Sequence, residues 1–359
     1  MNEPRSPIAL PPDARILVVA MRRLGDVLLT TPLIRSVKRA FPAASIEALV
    51  FAGTEGILSG NPDLAGVLTI PERARIGESF ALLRRLMRRY DLALSTQTGD
   101  RPTALAVIAG RQSAGPRDAG RASAAIKRIA LSRSYTADRT QHRIVDLLRL
   151  ADLIGIAGAR DVVLPQGDVR PDVLPNQPYA VMHAAPKFIY KRWTIDGWRR
   201  LAAALRVRGL ATAVIGAKTD RAYLDTVWRD TDVVRLDGEL SWPELSALIG
   251  GAQIYVGPDT ALTHLAAATG TQTVALYGPT DPRIWGPWPR NGLERPWDAS
   301  GTIQHRDNVW LVQNPLPCLP CQLEGCERRL DSRSQCLDEL SAAHVVTAVD
   351  HALAVRRAA

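Results

Sequence analysis

The chain has 359 residues, of which 46% are hydrophobic and 23% charged, enough for the cores of two ordinary domains and too apolar for overall disorder. Its start, MNEPRSPIALPPDAR, lacks the basic and apolar segments of a signal peptide, and no apolar run reaches the length of a spanning helix. We therefore expect a cytoplasmic protein without a transmembrane segment. The formal charge of +9 favours an anionic partner.

The first half of the chain alternates short apolar strands with helices. In chain order, the pattern predicts a strand at 15–20, a helix near 31–41, a strand at 45–51, a helix at 79–90, a strand at 91–96, a basic, loop-rich stretch to about 140, and a helix over HRIVDLLRLADLIG. The proline-rich stretch 165–178 then indicates an interdomain linker.

The second half repeats this alternation. The predicted elements are strands at 179–185, 211–216, 253–257 and 273–278, with helices over IDGWRRLAAALRVRG, SWPELSALIGGA and TALTHLAAATG. Parallel sheets covered on both faces show this pattern, so we predict two Rossmann-like domains facing across a cleft. The predicted divisions are 1–170 and 171–340, with a last helix at 341–359 that packs back across the domain junction.

Basic residues are concentrated in the first half. Residues 101–143 hold nine lysines or arginines and two acidic residues, and RRLMRRY at 84–90 adds four arginines at helical spacing. Such a surface attracts nucleic acid, anionic lipid headgroups or phosphorylated sugars, and a merely solvated arginine-rich face is the alternative. Within 101–143 no aromatic residue precedes Tyr135, which disfavours nucleic-acid binding by stacking. The nine are Arg101, Arg111, Arg117, Arg121, Lys127, Arg128, Arg133, Arg139 and Arg143.

Several common enzyme motifs are missing. Neither half has G-x-G-x-x-G after its first strand, and the chain contains no P-loop, no G-x-S-x-G and no H-E-x-x-H. These absences disfavour NAD oxidoreductases, P-loop NTPases, α/β-hydrolases and zincins.

Three loops that follow predicted strands carry the candidate site residues, since ligands of open α/β sheets bind beyond the carboxyl ends of strands. The candidates are Arg22, Arg23 and Asp26 in the first loop, Lys187 and Lys191 in the second, and Asp259, Thr260 and His264 in the third.

Each candidate has a chemical role and a structural alternative. The helix start after Pro258 suits a diphosphate, and Asp259 could accept a bond from a sugar hydroxyl or simply cap the helix. Lys187 and Lys191 could neutralise an anionic leaving group or be solvated. Asp26 could remove a proton from an attacking hydroxyl or serve as a helix N-cap.

The order and content of four segments resemble glycosyltransferase family 9, the ADP-heptose:lipopolysaccharide heptosyltransferases. The segments are LGDVLLTTPLIRSVKRAFP, KRWTIDGWRRLAAAL, GPDTALTHLAAATGTQTVALYGPTDPRIWGP and a cysteine-bearing tail. The resemblance implies a GT-B fold, with the acceptor on the N-terminal side and ADP-heptose on the C-terminal side. It also implies inverting transfer without a required metal cofactor.

The resemblance also implies roles for individual residues. Asp26 matches the catalytic aspartate, Lys191 a lysine that contacts the donor phosphates, and Asp259, Thr260 and His264 the donor motif, in which Ala261 replaces the common glycine. HAAPKFIYKRW lacks the paired threonines of some first-heptose transferases, so a later heptose is expected. Arg22 and Arg23 would hold acceptor anions.

The implied surroundings are the inner core of lipopolysaccharide and the membrane that carries it. Basic residues would meet core phosphates and Kdo, and the protein would lie peripherally on the inner face of the inner membrane. Nucleic acid is not an expected partner.

All four cysteines fall within 19 residues, at Cys318, Cys321, Cys326 and Cys336. Four thiolates could hold a structural zinc, and the first pair has the usual C-x-x-C spacing. The other spacings match no standard zinc module, so reduced thiols packing a loop are the alternative.

Three other functions stay open at this point. They are a GT-B transferase for another nucleotide sugar, a nucleotide-sugar epimerase, and a polyanion-binding module without catalysis.

Overall fold

The computed structural model describes residues 7–73, 75–120 and 122–358. The first six residues of the segment considered as a signal peptide, and Arg121 of the basic stretch, lie outside the described residues. The chain divides into two compact units, Met1–Pro165 and Gln166–Ala359, called here the N-terminal unit and the C-terminal unit.

The described part of the N-terminal unit contains a parallel sheet of six strands in the order β3-β2-β1-β4-β5-β6. This is the doubly wound order of a Rossmann-like domain. The strands are β1 (Arg15–Val19), β2 (Ser45–Phe51), β3 (Gly66–Ile70), β4 (Tyr90–Ser95), β5 (Gly110–Arg117) and β6 (Arg133–Thr136).

Helices cover both faces of this sheet, because its central strands are apolar on both sides. Residues of α2 and α6 join the core on one face, and residues of α3 and α4 join the core on the other. The helices are α1 (Leu24–Leu28), α2 (Thr31–Ala40), α3 (Ile76–Leu86), α4 (Asp100–Ala109), α5 (Ala122–Ala130) and α6 (Arg143–Ile154).

The predicted loop-rich stretch to about residue 140 is wrong, since it contains α4, β5, α5 and β6. The strand β5, GRQSAGPR, has few branched apolar residues because it lies close to β4. A Cβ at Gly110 would approach the Ala93 Cβ to 2.9 Å, so a small residue is needed there. The predicted helix at 79–90 ends earlier, at Leu86, and Tyr90 begins β4 with its hydroxyl donating to Glu47 Oε2 at 2.8 Å.

The C-terminal unit contains, among its described residues, a sheet of seven strands in the order β12-β13-β11-β10-β7-β8-β9. The β12–β13 pair is antiparallel and the other pairs are parallel. The strands are β7 (Tyr179–His183), β8 (Ala211–Ile215), β9 (Val234–Arg235), β10 (Ile254–Pro258), β11 (Thr273–Leu276), β12 (Ile303–Arg306) and β13 (Val309–Val312). The hairpin of β12 and β13 was not predicted.

The last helix belongs to the core of the C-terminal unit. Val345, Ala348, Val349 and Ala352 of this helix are buried, and it packs on α7, β11 and β13. Its predicted packing across the domain junction stays a prediction. The helices of this unit are α7 (Ile195–Val207), α8 (Arg221–Val227), α9 (Trp242–Gly251), α10 (Ala261–Thr269), α11 (Pro282–Trp285), α12 (Gln335–Asp338) and α13 (Ala342–Ala358).

Candidate active site

Two of the predicted donor-side residues form a buried ion pair at the carboxyl edge of the C-terminal sheet. Strands β7 and β10 are neighbours; Lys191 lies beyond the end of β7, and Asp259 directly follows β10. The Lys191 ammonium lies 2.5 Å from Asp259 Oδ2, and the two side chains are 18% and 8% exposed. The lysine therefore brings a positive charge to the edge where the sheet is expected to bind its ligand.

Asp259 sits in a set of polar groups that favour its charged form. The Tyr277 hydroxyl, which donates to the Trp285 carbonyl at 2.6 Å, lies 3.4 Å from Asp259 Oδ1, and His264 Nε2 lies 3.9 Å from the same oxygen. Burial alone would raise the pKa of Asp259, but the charges of Lys191 and His264, with hydrogen bonds from Lys191 and Thr280, hold that pKa below its ordinary value. Asp259 is thus a fixed carboxylate.

The capping alternative for Asp259 is wrong, because Thr260 occupies the N-cap position of α10 and Ala261 is the first helical residue. The Thr260 hydroxyl makes no capping bond to the helix. The first backbone amides of α10 therefore lie next to the Lys191–Asp259 pair, and amides at a helix start suit an anion. An ammonium beside a helix start is a combination that can hold a diphosphate.

The other two donor-side candidates differ in position. His264 is buried in α10, one turn from the helix start and within reach of Asp259. Lys187 is exposed, with its ammonium 5.9 Å from the centre of the Phe188 ring rather than in the pair.

On the N-terminal unit, Asp26 is the third residue of the short helix α1, which follows β1 after a four-residue loop. Its side chain is 11% exposed and accepts a hydrogen bond from Arg22 Nε at 3.1 Å. The capping alternative is wrong, because Arg23 is the N-cap residue of α1 and Thr30 that of α2. Arg23 is exposed at the same loop. A carboxylate has about four acceptor positions, so Asp26 retains capacity to accept a proton from a bound hydroxyl.

The sequence analysis did not single out Arg143 and counted it only as part of the basic stretch. Arg143 opens α6 and is 13% exposed; its guanidinium donates to the Thr96 carbonyl at 2.6 Å and to Asp146 Oδ2 at 3.4 Å. Thr96 in turn donates its hydroxyl to the Val19 carbonyl at 2.9 Å, at the end of β1. Arg143 therefore lies at the edge that carries Asp26.

The electrostatics of Arg143 agree with this placement. Burial lowers the pKa of Arg143, while the carboxylates of Asp26 and Asp146 act in the opposite direction. The sequence signal that could have found it is a polar loop, TQTGD, directly after β4, because such loops gather at one edge of a parallel sheet.

The four cysteines carry free thiols. Cys336 is buried in α12, and burial together with the neighbouring Cys321, Cys326 and Cys318 raises its pKa to about 12. The backbone amide of Gln335 donates to Cys326 Sγ at 3.3 Å. Within the described ranges, no three His, Cys, Asp or Glu side chains are placed to hold a metal ion.

Comparison with protein families decides where this chain belongs. The model of glycosyltransferase family 9 (heptosyltransferase) matches residues 79–294, more than half of the chain. The chain belongs to glycosyltransferase family 9. The family-9 chain is accordingly a glycosyltransferase, which confirms the resemblance seen in the sequence motifs.

Similarity to individual relatives extends beyond residues 79–294. Lipopolysaccharide heptosyltransferase 3 of Escherichia coli (strain K12) is 28% identical over 294 residues, 76% of this family-9 chain and 85% of the relative. Lipopolysaccharide heptosyltransferase 1 of Pseudomonas aeruginosa is 26% identical over 331 residues, 87% of each chain.

A solved structure supports the fold. The E. coli ADP-heptose lps heptosyltransferase II superposes with a TM-score of 0.72 at 18% identity, covering 96% of this family-9 chain and 99% of that one. The predicted fold class, an α/β protein of the GT-B type built from two Rossmann-like domains, is confirmed.

Proposed function

We propose that this glycosyltransferase moves a heptose from ADP-L-glycero-D-manno-heptose to the inner core of lipopolysaccharide, as a later heptose rather than the first. The names of the relatives and of the superposed structure support heptose, ADP and lipopolysaccharide as the chemistry. The observation that carries the proposal is the buried Lys191–Asp259 pair beside the start of α10, since a diphosphate needs positive charge and free amides together.

In this proposal the C-terminal unit holds the donor. Lys191 has three N–H donors, so it can stay bonded to Asp259 and still contact a phosphate oxygen. The first amides of α10 would bind the other phosphate, and Thr260 and His264 would border the sugar. Lys187, which is exposed, would contribute only long-range charge. The role of Asp259 is to hold the ammonium in place while contributing an acceptor for the donor.

Asp26 acts as the base in the N-terminal unit. It takes the proton of an acceptor hydroxyl as that oxygen attacks the anomeric carbon, on the face opposite the diphosphate, so the configuration inverts. The bond from the anomeric carbon to the diphosphate oxygen breaks, and ADP leaves with the electron pair. Lys191 and the α10 amides stabilise the charge that develops on the departing oxygen.

Acceptor recognition follows from the charge around Asp26. We propose that Arg22 and Arg23 bind acidic groups of the lipopolysaccharide core, and that the protein attaches peripherally to the inner face of the inner membrane. Arg143 is proposed as a positioning residue that keeps a fixed positive charge near Asp26.

Metal is not part of the proposed transfer step. We expect transfer to continue in the presence of a chelator, because Lys191 and the α10 amides supply the charge that a metal ion would otherwise supply. Metal analysis of the purified protein tests the separate prediction of a zinc ion at Cys318, Cys321, Cys326 and Cys336.

The test is a transfer assay with ADP-heptose and a series of core-truncated lipopolysaccharides, read by mass spectrometry. Wild type should add a heptose-sized increment to one truncation, and that truncation names the position. Asp26→Asn should lose turnover by roughly a thousandfold or more and still bind ADP.

Several results would overturn parts of the proposal. Transfer only from another nucleotide sugar rejects heptose, and conversion of a nucleotide sugar without any acceptor points to an epimerase. Product formed equally by Asp26→Asn removes Asp26 from catalysis. If the protein binds core polyanions but turns over no nucleotide sugar, it is a polyanion-binding module without catalysis.

A further inference from the structure

Two helices on one face of the N-terminal unit, α3 and α5, expose large apolar side chains. Phe80 and Met87, in and just after α3, are 61% and 62% exposed, and Ile126 and Ile129 of α5 are 69% and 83% exposed. Between them, α4 has Ala104 exposed and Val107 and Ile108 half-buried. We call these seven residues the apolar face.

These residues belong to one surface because α3, α4 and α5 are neighbours. α3 packs on α4, and α4 packs on α5. Each of the three connects one strand to the next in the same direction across the sheet, and right-handed crossovers place such helices on a single face. Phe80, Leu83, Met87 and Ile108 line one groove of this surface, together with Arg84.

The orientation of helix α5 shows that its apolar side chains are exposed even though a charged side chain of the same helix is buried. Its Lys127 side chain is 7% exposed and points inward, with the ammonium 2.7 Å from Asp100 Oδ1 and donating to the Thr98 carbonyl. Ile126 and Ile129, on either side of that lysine in sequence, face solvent. A helix that buries its ammonium and exposes two isoleucines has the reverse of the usual orientation, and large exposed apolar patches mark interaction sites.

Exposed arginines lie beside the apolar face on α3 and α5. Arg84, Arg85 and Arg89 are exposed at the end of α3, and Arg128 is exposed on α5. The sequence SFALLRRLMRRY at 79–90 and residues 122–130 contain no acidic residue. The surface therefore combines apolar side chains with a positive border, the pattern of helices that lie in the interface of an anionic membrane.

We infer that the apolar face, with its arginine border, docks on the surface of a lipid bilayer that contains anionic headgroups. A second copy of the chain fits less well, because a two-fold contact through this face would place one arginine border against another. The inference deepens the peripheral attachment proposed above and is independent of the sugar that is transferred.

The test uses the full chain and vesicles, without donor or acceptor, in a flotation assay. Wild type should float with vesicles of phosphatidylcholine and phosphatidylglycerol, and about tenfold less with phosphatidylcholine alone. The variant Phe80→Ser/Ile126→Ser/Ile129→Ser should bind the mixed vesicles about tenfold or more weakly. Arg84→Ser/Arg85→Ser should lose most of the preference for phosphatidylglycerol.

The matched control is Arg206→Ser/Val207→Ser, which removes an exposed arginine and a valine that is 86% exposed on α7 of the C-terminal unit. It should float like wild type. Thermal unfolding of each variant checks that the fold is intact, which is expected since the changed residues are exposed.

Three results would overturn the inference. They are no flotation of wild type, equal flotation of wild type and the triple serine variant, and a wild-type dimer that becomes a monomer in the triple variant while flotation is unchanged. Transfer to a lipid-free core oligosaccharide is measured in parallel. It should be the same in wild type and the triple variant, so failure of docking and failure of the transferase proposal are separately visible.

Discussion

Asp26 and Asp259 each lie just beyond a strand at the carboxyl edge of a parallel sheet, yet their surroundings differ. Asp259 is 8% exposed and is surrounded by Lys191, His264, Tyr277 and Thr280. Asp26 accepts a bond from Arg22, whose side chain is 45% exposed, and lies in a helix of five residues. Asp259 is thus held by groups that follow three different strands, whereas Asp26 is held by Arg22, one helical turn away.

This difference separates two chemical roles. A buried carboxylate with an ammonium at 2.5 Å and a lowered pKa is a poor base, because taking up a proton would break its ion pair. It is suited to holding a cation in place. A carboxylate bonded to a half-exposed arginine can release that partner at little cost and accept a proton from a bound hydroxyl. The same residue type therefore serves as an anchor in one unit and is available for proton transfer in the other.

Of the variants that test this difference between Asp259 and Asp26, Lys191→Ala should have the largest effect. It leaves the Asp259 carboxylate buried without its ammonium, which costs roughly 3–5 kcal/mol of stability, and it removes ADP binding. Urea unfolding and ADP titration measure the two losses. Lys187→Ala, at an exposed position, should change stability by less than about 0.5 kcal/mol. Equal stability and equal ADP binding of the two variants would show that the Lys191–Asp259 pair contributes neither to stability nor to donor binding.

Arg143→Ala should have the next largest effect, on the Asp26 side. Loss of a fixed charge near the base should lower kcat by roughly ten- to a hundredfold, with the KM for the donor unchanged. Arg139→Ala is the control, because Arg139 pairs with Asp118 at 2.6 Å but is 72% exposed. A fall in protein stability with kcat unchanged would make Arg143 structural only.

The contribution of Asp259 to stability should depend on pH. Because the pKa of Asp259 is below its ordinary value of 3.8, its ion pair stabilises the protein fully above that pH and loses its effect as pH falls through the lowered pKa. The stability gap between wild type and Asp259→Asn should therefore be constant from neutral pH to about 4 and shrink below it. A gap that already narrows between pH 7 and 5 would contradict the lowered pKa.

The smallest effect is expected from Arg22→Ala. An exposed arginine–carboxylate pair contributes about 0.5 kcal/mol, so the melting temperature should hardly change. If Arg22 binds acceptor anions, KM for the acceptor should rise about two- to fivefold, and less so at high salt. A large loss of kcat would mean that Arg22 positions Asp26 more tightly than its exposure indicates.

Much of the fold followed from local pattern. The runs RILVVA and SIEALVF predicted β1 and β2 because buried parallel strands need continuous apolar residues. The pattern failed in the basic stretch, where β5 contains no branched apolar residue and Gly110 is approached closely by Ala93 of β4. It also missed the antiparallel hairpin of β12 and β13, whose residues belong to the long segment after the family motifs.

The candidate site was predictable in kind and incomplete in detail. Polar residues after strands singled out Asp26, Lys191 and Asp259, and the structure brings Lys191 and Asp259 together at the end of neighbouring strands. Lys187 is exposed, and its proposed contact with the donor stays a prediction. Arg143 was overlooked because it is the first residue of a helix, and only its bond to the Thr96 carbonyl places it near β1.

The sequence by itself determined which residues end strands, begin helices and carry charge, because those properties depend on neighbours within a few positions. Only the tertiary structure decided which strand ends meet. The Lys191–Asp259 pair spans 68 residues and forms because β7 lies beside β10. The apolar face likewise exists because α3, α4 and α5 fall on one side of the sheet. Long-range pairing of strands is a property of the whole chain, and it is what turns separate loops into a site.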